Sequence, residues 1–309
     1  MEQPEVLDGL TTTSASGIDA PAGADAVVPQ ACPTCGTIPG AGKVMPAANG
    51  AAASPAYVYA IGHIEPRFPR ISVEKEFAQA LGRDKTAGLT DRGALQAALS
   101  KPENRYLVRQ LCWVMTIEGL ETYILVPRDP VDLSLLVEAL RPTPQPWDLD
   151  CVIGVQGPIA PPEMCNGLMV PIVVFDQVYS FDRDSLIKAI PKPEKTTSKE
   201  FAPAAEELFD RIMQMADNAG ATDANRALNY LALRYPRIYE AVAEAFGRNE
   251  SLSAVDVSPS PLSGTRKVVD VVFAFTHRST DVVSKLSVRV DVTDEFPFLV
   301  TKLSPYYDR

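Results

Sequence analysis

Histidine is almost missing from this chain: His63 and His277 are the only two in 309 residues. A nucleophile–imidazole–carboxylate triad needs a histidine held between its partners. His63 instead follows an apolar strand beside Glu65 and reads as a structural residue, and His277 ends a strand and reads as exposed. No small-residue elbow presents a serine. Long apolar runs are missing too. The longest, Gly167 to Phe175, is broken by Pro171 and falls short of the roughly 20 residues that a membrane-spanning helix needs. Cations are in deficit, with 29 Lys and Arg against 39 Asp and Glu and a net charge of −10. A nucleic-acid surface needs clustered cations to displace counterions, so that class of partner is excluded and basic or neutral ones are favoured. The start, Met1-Glu2-Gln3-Pro4-Glu5, carries acid where a secretory signal carries lysine and arginine. With an odd count of five cysteines, this leads us to expect a reducing cytoplasm, no membrane, and thiols kept for metal or simply buried.

What is present is ordinary globular material, 46% hydrophobic and 22% charged, long enough for one large domain or two modest ones. Residues 1–56 are rich in Ala, Gly, Pro, Ser and Thr, which predicts a disordered or linker tail. Order is expected from Tyr57. Tyr57 to Gly62 reads as a strand ending in a proline-broken turn through Glu65-Pro66-Arg67-Phe68-Pro69. Three helical stretches follow, the second capped by Thr90 and the third around Glu103 to Arg109. Cys112 to Glu118 and Glu121 to Val126 read as a hairpin through Gly119. A short helix at Asp132 to Leu140, strands at Asp150 to Val155 and Leu168 to Val178, and a helix at Ser185 to Ile190 capped by Asp184 complete this part. Pro191 to Thr197 is a polar, proline-bearing linker.

Beyond the linker we expect three helices. Ser198 caps the first, with Ala204, Leu208, Ile212 and Met215 on one face. Thr222 caps the second, and Pro236 lies in the first turn of the third. Four strands close the chain, the clearest being Leu286 to Val292, whose strict alternation marks one buried and one wet face. The fold class is therefore α+β: a mixed sheet with helices over 57–190, then three helices and an antiparallel sheet over 198–309.

The stretch Cys32-Pro33-Thr34-Cys35-Gly36 carries the sharpest chemistry. Two thiolates two residues apart can chelate one ion, and the glycine permits the turn that zinc knuckles use. A redox reading fits less well, because Thr37-Ile38-Pro39-Gly40 cannot continue the helix that lowers a reactive thiol's pKa. A closed site needs four ligands and no second such pair exists. Cys165, in a turn-rich loop able to wrap an ion, and Cys112, at a strand start, are the nominated partners; Cys151 reads as a small buried residue. The metal set is thus Cys32, Cys35, Cys112 and Cys165 around a structural zinc.

The loop Gly157 to Gly167 is stiff yet irregular, and Pro162, Glu163, Met164 and Asn166 are its candidates to meet a peptide. The plain alternative is a structural loop that positions Cys165. Glu118 and Glu121 flank a turn and read as solvated charge, Asp182 and Asp184 as helix caps, and Tyr306, Tyr307, Asp308 and Arg309 as an end docking on its own sheet or a partner.

Three segments in order carry a family resemblance: Tyr57-Val58-Tyr59-Ala60-Ile61-Gly62, the loop Pro162 to Gly167, and the ending from Arg289-Val290-Asp291-Val292-Thr293 to Pro305-Tyr306-Tyr307-Asp308-Arg309. Together they resemble the C-terminal domain of unknown function of the PatA and PatG cyanobactin maturation proteases, over roughly Tyr57 to Arg309. The resemblance implies a place in the maturation of ribosomally made peptides, without the protease, since no triad stands beside it. The function expected is a non-catalytic accessory or scaffold protein that binds a precursor peptide or a modifying enzyme; a homodimer is left open. The alternative is a peptide-modifying or zinc-dependent enzyme with an unrecognised site. A further alternative makes the CPTCG tail itself a substrate-like segment.

Overall fold

The computed structural model describes residues 55–81, 91–192, 198–215 and 217–307. The chain divides into two units, 1–53 and 54–309, and the account below concerns the second. Cys32, Cys35, the Thr90 cap, Asp308 and Arg309 lie outside the described residues, as does the side chain of Ser198.

The first part is a mixed sheet closed into a five-stranded barrel. Its strands are β1 (Tyr57–Arg67), β2 (Cys112–Ile117), β3 (Leu120–Pro127), β4 (Asp148–Ile159) and β5 (Pro171–Asp182), in the order β1-β2-β3-β5-β4. Only β3 and β5 run parallel. Closure depends on β1 serving both ends of the sheet: Tyr57 to Gly62 pairs β4, and His63 to Arg67 pairs β2. At that corner a side chain on Gly62 would strike the Thr116 carbonyl, so the close approach demands glycine. Just past it, the Ile64 N–H donates 3.0 Å to the carboxylate of buried Asp150, which also accepts from the Ser180 hydroxyl at 2.6 Å. Burial pushes the Asp150 carboxyl up, and these two donors oppose the shift.

One correction concerns Pro66. The sequence predicts a turn from Glu65, yet β1 continues to Arg67, with Pro66 paired opposite Trp113. This half of β1 has a single ladder partner, and a proline is tolerated on the side without one.

The helices α1 (Ile71–Leu81), α2 (Asp91–Leu99), α3 (Arg105–Gln110) and α4 (Leu133–Ala139) pack Phe77, Leu107 and Leu136 into one core with Val58, Trp113, Met115 and Val152. A short helix α5 (Arg183–Ala189) follows β5. Its cap is Asp182, whose side chain accepts from the Ser185 N–H at 2.6 Å. Asp184, expected in that role, sits in the first turn and pairs with Arg183.

Next come α6 (Ser198–Met213), α7 (Asp223–Arg234) and α8 (Arg237–Gly247), then an antiparallel sheet of β6 (Glu250–Pro259), β7 (Val268–His277), β8 (Val283–Asp291) and β9 (Phe298–Pro305), in that order. Thr222 caps α7 as its sequence predicts, accepting from the Asn225 N–H at 3.1 Å. Pro236 stands at the cap position just before α8, one residue earlier than expected. The alternating inner residues of β7 and β8, among them Val271, Phe273, Val288 and Val290, share a core with Leu208, Ile212, Leu231 and Val242, and Ile61 and Leu149 of the barrel enter the same core. Burial of this size is the dominant favourable term in folding.

Barrel and helices meet where α6 turns towards α7. The Tyr59 N–H donates to the Gly220 carbonyl at 2.8 Å, and the Tyr59 carbonyl accepts from Asn229 at 2.8 Å. Gly220 has φ +72, and a side chain there would collide with the Tyr59 backbone. Asn229 and Asn218 are buried and hydrogen-bonded to each other, so no polar group at the joint is left unmet on that pair.

Candidate functional site

The face of the barrel carrying Cys112, Val114 and Ile124 needs a cover, and the segment after β4 supplies it. Ala160, Cys165, Leu168, Val170 and Ile172 pack on these three residues. The loop is tied at its mouth by the Ala160 N–H to the Val170 carbonyl at 2.9 Å, and within by Met164 to Pro161, Gly167 to Pro162 and Leu168 to Cys165. Asn166 at φ +46 and Gly167 at φ +86 turn the chain back. A disulfide from Cys112 to Cys165, with Cα atoms 5.7 Å apart, fixes the loop to β2.

Against this stapled loop lies an open groove of about 610 Å³. Its walls are Val108 to Trp113 at the α3–β2 junction, Ile124 to Pro127 of β3, Pro130, Leu133 of α4, and Met164 of the loop. Trp113 is held in place by its indole N–H, which donates to the Val108 carbonyl at 3.2 Å. A second cleft, of about 440 Å³, continues beyond Val108 and Leu133 to Leu99, Lys101, Arg105, Val137 and Glu138. Concave, largely apolar walls on rigid elements are what small-ligand and peptide sites have in common.

The residues nominated from sequence fall as follows. Met164 lines the groove and is half-buried, whereas Pro162, Glu163 and Asn166 are exposed on the loop's outer side, outside the groove wall. Cys112 and Cys165 are brought together, but as a disulfide, which leaves neither sulfur as the thiolate that zinc requires. Cys151 is a buried free thiol whose pKa is pushed up to about 12 by burial. Among the described residues there is no cluster of three or more His, Cys, Asp or Glu able to hold a metal. His277 is half-buried rather than exposed, because the turn after β7 folds back on it and the Ser279 N–H donates to its Nδ1 at 3.3 Å. Glu118 and Glu121 are exposed, the latter paired with Arg67. The Tyr306 N–H is bonded to the Lys285 carbonyl at 2.9 Å, and Tyr307 is 80% exposed.

Sequence reasoning missed a second constellation, because its members are far apart in the chain. Asp176 of β5 and Glu295 of the β8–β9 loop lie close enough for each charge to act on the other, and Glu295 Oε1 is buried without a hydrogen-bond partner among the described residues. The Arg128 guanidinium grips Asp176, with Nη2 to Oδ2 at 2.7 Å, and holds its carboxyl below the usual range. Burial, then the Asp176 charge, pushes Glu295 up to about 7. Buried Arg226 steadies the same loop by donating to the Val292 carbonyl at 2.7 Å and to that of Asp294, with its guanidinium over the Tyr57 ring. Next door, Phe296 and Pro297 help line a small cleft of about 220 Å³ with Tyr59, Tyr179, Tyr230 and Arg234. The carboxyl pair is not in that cleft's wall.

Residues 195–306 match a family model described as PatG C-terminal. A solved structure described as "PatG Domain of Unknown Function" superposes with a TM-score of 0.66 over 81% of this chain and 98% of that one, at 18% identity. Identity that low establishes the shared fold. No curated protein matches the chain.

Proposed function

We propose that this chain, which carries a PatG C-terminal region and shares the fold of the PatG domain, is a non-catalytic binding module of a ribosomal-peptide maturation pathway of the cyanobactin kind. In this reading it holds a precursor peptide or a modifying enzyme in the groove beside the stapled loop. The observation that carries the proposal is the groove itself: about 610 Å³, walled largely by apolar residues with Arg109 and Gln110 among them, and bounded by a loop covalently fixed to the barrel. That volume lies within the range of roughly 300–1,000 Å³ typical of ligand sites, and a fixed loop limits the ordering cost of binding. The test is a pull-down of the full chain against proteins encoded beside it, with Met164→Asp as control. Retention of a precursor peptide or modifying enzyme, lost in the variant, supports the reading; turnover of a candidate peptide by the chain alone overturns it.

A second reading, an acid–base enzyme, draws support from the Asp176–Glu295 pair, since two carboxyls driven apart in pKa are what such catalysis uses. Peptide turnover abolished by Glu295→Gln would favour it. Zinc binding we propose only for the reduced chain, in which Cys112 and Cys165 regain their thiolates. Metal analysis of dithiol-treated protein tests that state, and a zinc-free result removes it.

A further inference from the structure

The groove has a charge of its own. Over the whole chain anions exceed cations by 39 to 29, yet the two adjoining clefts are lined by Lys101, Arg105 and Arg109 against a single carboxylate, Glu138. The clefts share Val108 and Leu133, so these cations stand along one continuous apolar floor. Arg105 and Arg109 are four residues apart on α3, hence on the same side of the helix, and both are exposed.

Neither has an acidic partner among the described residues. Among these, ten arginines make ion pairs with Asp or Glu, and Arg70, Arg211, Arg234 and Arg278 share with Arg105 and Arg109 the lack of one. Arg105 and Arg109 make none among the described residues, although Glu138 lines the same cleft as Arg105. In a protein with surplus carboxylates, cations left unmatched beside an apolar floor are available to carboxylates from outside. Such charges set partner choice and encounter rate more than raw affinity.

We infer that the joined groove takes a peptide segment that combines acidic and large apolar side chains, the apolar ones on the floor made by Val108, Leu133 and Met164 and the carboxylates on Arg105, Arg109 and Lys101. The inference rests on the proposed function and gives its ligand a chemical class. A polyanion such as nucleic acid fits less well, because three cations neutralise few phosphates, the floor has no use for a phosphate backbone, and the net charge of −10 repels one.

The experiment measures fluorescence anisotropy of the full chain with three short labelled peptides: alternating leucine and glutamate, alternating leucine and lysine, and alternating serine and glutamate. The leucine–glutamate peptide binds best, by about tenfold or more over each of the others, and binding weakens as salt is raised. Arg105→Glu combined with Arg109→Glu inverts the charge preference; both side chains are exposed, so the fold survives, as circular dichroism will verify. Equal binding of the glutamate and lysine peptides, with loss of both in Met164→Asp, overturns the charge inference and leaves the peptide-binding reading standing. Failure of all three peptides to bind removes both. Displacement of the leucine–glutamate peptide by oligothymidylate at comparable concentration overturns the peptide assignment in favour of a polyanion.

Discussion

Breaking the staple is the perturbation whose size can be worked out in advance. Cys112 and Cys165 are 53 residues apart, and in the chain-entropy account closing a loop of that length removes about 4 kcal/mol of freedom from the unfolded state. Folded domains have about 5–15 kcal/mol in all, so the loss is large. The folded state loses little else, because the backbone bonds inside the 160–170 loop and the packing of Leu168, Val170 and Ile172 on Val114 and Ile124 do not depend on the sulfur link. The paired variant Cys112→Ser, Cys165→Ser should therefore unfold at lower urea than the oxidised chain, by on the order of 1 M if m is about 3 kcal/mol/M. Trp113, buried beside Cys112, supplies a fluorescence signal for the transition. Treating the unaltered chain with a dithiol should lower its midpoint equally, and mass spectrometry of a non-reduced digest should recover the linked peptides. Equal midpoints with and without reductant, or no linked peptide, would refute the reasoning.

Two further outcomes follow from the joint and the loop beside it. Gly220→Ala should cost at least about 1–2 kcal/mol from the left-handed backbone alone, and more from the collision with Tyr59, read as a lower thermal midpoint; an unchanged midpoint contradicts the placement of Gly220. For Glu295, a carboxyl raised in the folded state is bound by more protons folded than unfolded, so its contribution to stability is full below the ordinary carboxylate range and is lost as pH rises towards about 7. Asp176, held low by Arg128, works the other way, and its contribution fades as pH falls below that range. Glu295→Gln should thus flatten the decline of stability between about pH 5 and 7 in pH-dependent unfolding; a slope equal to that of the unaltered chain counts against the carboxyl pair.

Local patterns were legible in the sequence, and long-range chemistry was not. The hairpin from Cys112 to Val126 announces itself because alternation and Gly119 are both local signals, and β8 does so for the same reason. The barrel's closure rests on β1 changing partner at Gly62 and on a parallel β3–β5 pairing, and no short-range pattern encodes either. Cys165 could be nominated from its turn-rich loop and Cys112 from its place at a strand start, but which bond they form depends on geometry and redox state that spacing does not reveal. Met164 was visible as a loop residue, whereas Arg105 and Arg109 carried no signal beyond lying in the third helical stretch, because the clefts beside them form only in the fold. Asp176 and Glu295 meet only because the β8–β9 loop folds onto β5.

Whether the groove is where this protein meets its partner can be asked directly. A benzophenone amino acid placed at position 164 of the full chain, irradiated with the peptides and proteins encoded beside it, should on the proposed function form a crosslink to one of them, competed away by excess unlabelled peptide. A bound partner that fails to crosslink there, yet does so from a position on the C-terminal sheet such as 300, would contradict the account.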